Sequence, residues 1–124
     1  MNISQVRGVK KGWGKEVIWV STPDYCGKFM HFNTGARFSM HFHKTKRESW
    51  LCISGKFEIE YIDTKDASLH AHRFLPNNVW TNNELEPHRI ICIEEGIILE
   101  VSTADNPDDN YRVQKGDSQK EKYN

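Results

Sequence analysis

Apolar and polar residues alternate along this chain with a period of two, and nowhere do they recur at the spacing of a helix. The stretch 16–21 (EVIWVS) is β-branched and apolar and predicts the first strand, ended by a turn at Thr22, Pro23 and Asp24. Residues 26–32 predict a second strand, and Asn33, Thr34 and Gly35 supply a tight hairpin turn where φ must be positive. Residues 37–43 follow as a strand whose alternation sets Arg37, Ser39, His41 and His43 on one face and Phe38, Met40 and Phe42 on the other. A charged connection (44–47) leads to a strand over 48–54 (ESWLCIS), a turn at Gly55, and a strand over 56–62. In that last strand Phe57, Ile59 and Tyr61 alternate with Glu58 and Glu60, so it is half exposed. Further strands over 69–74, around Val79 and Trp80, over 88–93 and over 96–102 bring the total to roughly eight to ten.

Short strands at regular spacing without helices predict an all-β domain, a small barrel or jelly roll. At 124 residues the chain suits one such domain. Residues 1–15, polar and basic, read as an N-terminal arm or edge strand, 16–113 as the barrel, and 114–124 as a flexible polar tail. The polar face of 37–43 is expected to line a cavity. The apolar stripe Phe38, Met40 and Phe42 would then cover a homodimer interface or face a second sheet of the same chain.

Charge narrows the partners. With 17 basic and 17 acidic residues the net charge is zero, so no global field favours nucleic acid or an anionic membrane, and a small molecule is the expected ligand. The first residues lack the apolar core of a signal peptide and no run is long enough to span a bilayer, which predicts a soluble, cytoplasmic protein. Cys26, Cys52 and Cys92 form no CxxC pair and leave an odd thiol, as expected for small buried hydrophobes in a reducing compartment.

The candidate chemistry lies between Gly35 and Gly55. His41 and His43 share a strand face and Glu48 opens the next strand, so two imidazoles and a carboxylate can converge on one divalent ion. His88, after Pro87 at the start of an apolar strand, is the expected fourth ligand, with Zn, Mn, Fe or Ni as the candidate metals. His70 and His72 have the same spacing but no carboxylate nearby, and read as partly exposed strand histidines.

Gly35, His41, His43, Glu48 and Gly55 reproduce without a gap the first motif of the cupin superfamily, whose barrel is a double-stranded β-helix. His88 matches the histidine of the second motif, although Asn83, Glu84 and Leu85 stand where that motif has Pro-x-Gly. Within the cupins, the chain resembles the C-terminal domain of type II mannose-6-phosphate isomerases. The resemblance is carried by Trp13-Gly14, Ser39 to His43, Glu48-Ser49-Trp50, Pro87-His88-Arg89 and Asp108 to Arg112. It implies isomerisation of a sugar phosphate, in which a metal ion holds substrate oxygens while a base moves a proton between adjacent carbons. Arg37, Lys44, Arg89 and Arg112 are then the candidate phosphate partners and Glu60, Glu84 and Glu86 the candidate bases; Trp50 and Tyr61 are further candidate substrate contacts, and a wall of Trp50, Phe57 and Tyr61 in place of a cationic cluster would favour another substrate. A metal-dependent cupin dioxygenase and a non-catalytic metabolite-binding cupin are the alternatives the same ligands allow.

Overall fold

The computed structural model describes residues 2–119. Nine strands run in the order β1 (Arg7–Lys11), β2 (Gly14–Ser21), β3 (Tyr25–Phe32), β4 (Met40–Phe42), β5 (Glu48–Asp63), β6 (Ser68–Phe74), β7 (Val79–Thr81), β8 (His88–Thr103) and β9 (Tyr111–Gln114). A single 3-10 turn, Asp117–Gln119, follows. All strand pairings are antiparallel.

The long strands β5 and β8 pair along their whole length, from Glu48 opposite Ser102 to Tyr61 opposite His88, and both bend midway. In one half of the barrel the order is β1-β2-β3-β8-β5-β7, and in the other β6-β5-β8-β4-β9. Because β5 and β8 belong to both halves, the two walls of the barrel are continuous sheet.

Gly55, expected to reverse the chain, bends it instead. The segments 48–54 and 56–61 both pair with β8 rather than with each other, so no hairpin forms there. The bend is made by Gly55, at φ +88°, lying against Gly96, with register shifts on either side. One effect is a change of parity: Glu48, Trp50 and Cys52 point inward before the bend, and Phe57 and Ile59 after it. The inner faces join Trp13, Met30, Phe32, Trp50, Phe57, Ile59, Ile90 and Ile98 into one core. Each fully buried side chain of this size contributes roughly 1.5–3 kcal/mol. Cys26, Cys52 and Cys92 are buried free thiols.

The expected strand over 37–43 shortens to β4. Residues 35–38 still bond to β8 (Gly35 N–H to Cys92 O at 2.8 Å, Phe38 N–H to Ile90 O at 2.9 Å), but the alternation fails. Phe38 turns inward with Ser39 and His41, its ring 5.0 Å from Trp13 and 6.3 Å from Trp50. Met40 is buried, and Phe42 stacks on Tyr111 of β9 at 5.2 Å. The stripe that suggested a homodimer is thus largely covered by the chain's own residues.

The tail expected from 114 onward is tied down as far as Gln119: Arg37 and Asp117 exchange backbone and side-chain bonds, and Gly12 N–H donates to Ser118 Oγ. Residues 120–124 lie outside the described residues. No helix among the described residues is long and apolar enough to cross a membrane.

The glycine crossing can be tested by substitution. A Cβ on Gly96 would lie 2.1 Å from the Ser54 carbonyl oxygen, and one on Gly55 2.7 Å from that of Glu95. Gly96→Ala and Gly55→Ala should each lower the unfolding free energy in urea by about 2–3 kcal/mol. An unchanged midpoint would show that the crossing accepts side chains.

Candidate metal centre

Four buried side chains meet inside the barrel: His41 on β4, His43 just after it, and Glu48 and His88 at the first positions of β5 and β8. One ligand atom from each lies within 4.8 Å of all the others. The pairing of β4 with β8 sets His41 opposite His88, and the short 44–47 connection returns the chain so that Glu48 joins them.

The imidazoles are oriented by backbone carbonyls. His41 Nδ1 bonds to Ser39 O at 2.7 Å, His43 Nδ1 to Asp109 O at 2.6 Å, and His88 Nδ1 to Glu86 O at 2.9 Å. A carbonyl only accepts, so each Nδ1 carries the proton and each Nε2 of a neutral ring turns a lone pair toward the centre. Glu48 Oε1 stands 3.1 Å from His88 Nε2 and 3.3 Å from His43 Nε2, and His43 Nε2 has no hydrogen-bond partner. Lone pairs and a carboxylate converging in a buried space form a cavity for a cation. Three imidazole nitrogens and one carboxylate oxygen suit a borderline divalent metal.

The electrostatics agree. Burial pushes His41 down to about 3, with His88 adding to the effect, so the ring is neutral. Burial works to lower His43 as well, but the Glu48 carboxylate 3.3 Å from its Nε2 and the Asp109 carbonyl on its Nδ1 outweigh it, and the net shift is upward. Burial opposes ionisation of Glu48, yet the adjacent His43 and His88 rings and the charge of Lys46 hold it well below the usual carboxylate range.

A support layer surrounds the ligands. The Asp109 carboxylate accepts from the amides of Lys44, Thr45 and Lys46 at 2.7, 3.0 and 2.9 Å and from Thr45 Oγ1 at 2.6 Å, while its own carbonyl orients His43. Burial acts against it, but these donors carry its pKa well below the ordinary value. Beside Glu48 lies a second buried carboxylate, Glu100, which accepts from Trp50 Nε1 at 3.0 Å. Lys46 Nζ reaches Glu48, Glu100 and Asp105 at 3.5, 3.5 and 3.2 Å, and Lys28 Nζ reaches Glu16, Glu100 and Asp105 at 3.4, 3.7 and 3.6 Å.

These groups border a cavity of about 240 Å³. Trp13, Met30, Phe38 and Trp50 form its apolar wall, and the segment 105–119 adds Asp105, Asn110, Arg112 and Ser118 to its lining. Four basic side chains (Lys11, Lys28, Lys46, Arg112) and four acidic ones (Glu16, Glu48, Glu100, Asp105) line it.

Comparison with known proteins bears on the fold. No protein-family model matches the chain, and no curated protein sequence matches it. Solved structures do. The capsular polysaccharide assembling protein CapF from Staphylococcus aureus superposes with a TM-score of 0.80 at 18% identity, over 90% of this chain and 32% of that one. Oxalate decarboxylase from Bacillus subtilis gives 0.72 at 19% identity, over 87% and 30%. KdgF from Halomonas sp. gives 0.65 at 18% identity, over 76% and 81%. The fold is that of the cupins. The chain spans about a third of the length of CapF and of oxalate decarboxylase.

Within the cupin barrel the expected site residues divide. His41, His43, Glu48 and His88 come together, and Trp50 and Arg112 line the same cavity. The others lie elsewhere. Glu84 pairs with Arg47 at 2.6 Å on the surface, and Glu86 contributes its backbone carbonyl to His88 while its side chain borders a separate shallow crevice. Arg89 is held by Glu60 and by Gln114. Arg37 is exposed outside the cavity, and Lys44 lies over the Tyr111 ring at 4.7 Å. Tyr61 borders the crevice and stacks on the exposed His70 and His72 at 5.0 and 5.8 Å, and Phe57 is fully buried in the core. Sequence reasoning passed over Lys28, Lys46, Glu100 and Asp109. Lys28 and Glu100 had a signal: each interrupts an inward-facing row, Cys26, Met30 and Phe32 for the first, Ile98 and Ser102 for the second.

Two outcomes are expected. Protein loaded with Zn²⁺ should hold about one equivalent by elemental analysis, and His41→Ala and Glu48→Ala should lose it, because binding needs the full donor set. Asp109→Asn should cost the metal-free protein about 1–3 kcal/mol at pH 7 in urea unfolding. The folded pKa of Asp109 lies below its unfolded value, so this stabilisation is complete above about pH 4 and fades as pH falls toward the folded value. The gap between wild type and variant should therefore narrow at pH 3, and a gap independent of pH would refute the assignment.

Proposed function

We propose that this chain is a metal-dependent cupin acting on a small anionic carbohydrate, moving a proton between neighbouring carbons of a sugar phosphate as mannose-6-phosphate isomerases do. The observation that carries the reading is Glu100. It is buried beside the candidate metal ligands, one oxygen is held by the Trp50 indole, and Oε2 makes no hydrogen bond but faces the ammonium groups of Lys46 and Lys28 at 3.5 and 3.7 Å. Burial raises its pKa and the charge of neighbouring Glu48 adds to the rise, which the charges of Lys46 and Lys28 offset only in part, to about 7. A carboxyl with a pKa near neutrality can both take and return a proton at physiological pH.

A divalent metal at the His41–His43–Glu48–His88 set supplies a Lewis acid for substrate oxygens. The chain's own residues do the rest. Glu100 Oε2 takes the proton from one substrate carbon and returns it to its neighbour while the hydroxyl proton passes from one substrate oxygen to the other, so the product is an isomer, nothing is oxidised overall and no second substrate is consumed. Lys28 and Lys46 hold the carboxylates apart in charge, and Arg112 and Lys11 supply cationic partners for a phosphate at the mouth. Charge balance supports an anionic substrate: with acids and bases equal in number around the cavity, a divalent cation leaves it two charges positive. Trp13, Phe38 and Trp50 offer an apolar face to the C–H side of a sugar ring, and the cavity volume suits a small molecule. That CapF is a capsular polysaccharide assembling protein agrees with a carbohydrate reading.

Mannose 6-phosphate incubated anaerobically with metal-loaded protein should convert to fructose 6-phosphate by NMR, and a chelator should stop it. Glu100→Gln should cut kcat by about 10²–10⁴-fold while leaving Zn²⁺ content unchanged. Oxygen consumption would instead favour a dioxygenase. A thermal shift with no turnover of any sugar phosphate would favour a binding protein.

A further inference from the structure

Asn82 lies in the connection between β7 and β8, outside the cavity lining, and bonds to Glu48 twice. Its backbone N–H donates to the Glu48 carbonyl at 3.1 Å, and its side-chain Nδ2 donates to Glu48 Oε1 at 3.1 Å. On its other side Asn82 Oδ1 accepts from the Trp80 indole Nε1 at 2.8 Å. An indole N–H can only donate, so it can engage only the amide oxygen, and that turns the amide NH₂ toward the carboxylate. With the amide reversed, its oxygen would face both a carboxylate oxygen and empty the indole of its acceptor.

Glu48 Oε1 is also the oxygen on which His43 Nε2 and His88 Nε2 converge. Oε2 faces Lys46 Nζ at 3.5 Å. The two oxygens of Glu48 are therefore distinguished by their neighbours, and the one aimed at the ligand nitrogens is the one Asn82 holds. Trp80 is itself braced, opposite Trp50 in the β5–β7 ladder and in ring contact with Tyr61 at 5.6 Å and His72 at 5.7 Å.

We propose that Trp80, acting through Asn82, is a positioning device for the candidate metal centre that keeps Glu48 Oε1 aimed at the imidazoles of His43 and His88. This rests on reading the four residues as a cation site and is independent of the reaction. The two residues act in series, and series elements have a thermodynamic signature: once Asn82 is gone, the indole N–H has nothing left to orient.

The test is Zn²⁺ affinity of the metal-free full chain, measured by competition with a chromophoric chelator, for wild type, Asn82→Ala, Trp80→Phe and the double variant. Asn82→Ala keeps the backbone bond and should bind about 10–100-fold more weakly, the range expected for loss of an outer partner of a ligand. Trp80→Phe keeps an aromatic ring and removes only the donor, and should weaken binding by a smaller factor. The double variant should match Asn82→Ala within about two-fold. Cobalt substitution gives an independent readout, since a Glu48 no longer held should shift the visible Co²⁺ bands. Asn82→Ala binding as tightly as wild type, or losses that multiply in the double variant, would overturn the proposal. Wild type that takes up no Zn²⁺ would overturn it together with the metal site. Should Trp80→Phe fail to fold, as judged by the melting temperature of the metal-free form, Asn82→Ala alone decides.

Discussion

Everything near the centre of this barrel follows from one electrostatic requirement: a buried carboxylate must be matched by positive charge. Glu48 is nearly without solvent; the Lys46 ammonium answers one oxygen, and the other faces the imidazole nitrogens across the space a cation would fill. Glu100 doubles the demand a few ångströms away. The result is a connected set of six ionisable side chains (Glu16, Lys28, Lys46, Glu48, Glu100 and Asp105) in a domain of 124 residues. Such a network is costly to desolvate and weak as a source of stability, which favours reading it as functional.

The architecture makes this density of charge tolerable. β5 and β8 each cross the whole barrel, carrying ligands at their outer ends and apolar residues at their centres. The core of Phe57, Ile59, Ile90 and Ile98 lies beside the polar cavity, and Trp50 belongs to both, packing in one and donating to Glu100 in the other.

The legible part of the molecule was whatever strand parity alone determines. His41 and His43 point together because they are two apart, and Glu48, Trp50 and Cys52 share a face for the same reason. His88 was found from its place at the head of an apolar strand. Gly55 was misread because local sequence shows that the backbone turns but not which strand it pairs with afterward, and that partner is some forty residues away, a scale set by the barrel closure rather than by the turn. Phe38 was misassigned because alternation holds only where a regular ladder exists, and 37–39 pair irregularly with β8. The charged residues of the cavity were hidden differently. Lys46 sits in a run of lysines and arginines, where nothing local distinguishes the one whose ammonium is buried from its exposed neighbours Lys44 and Arg47. Glu84 and Glu86 were chosen for closeness in sequence to His88, but the loop directs the first to Arg47 and the second to a different crevice.

The contribution of residues 105–119 has a consequence for the order of assembly. His43 takes its tautomer from the carbonyl of Asp109, sixty-six positions later, and the loop before Glu48 is pinned by that residue's carboxylate. On a ribosome, the two histidines and the glutamate emerge long before their clamp does. The arrangement of donors is therefore complete only when the segment bearing Asp109 has docked on the 44–47 loop. A cation held by these four residues would therefore depend on a segment that is not itself among the ligands.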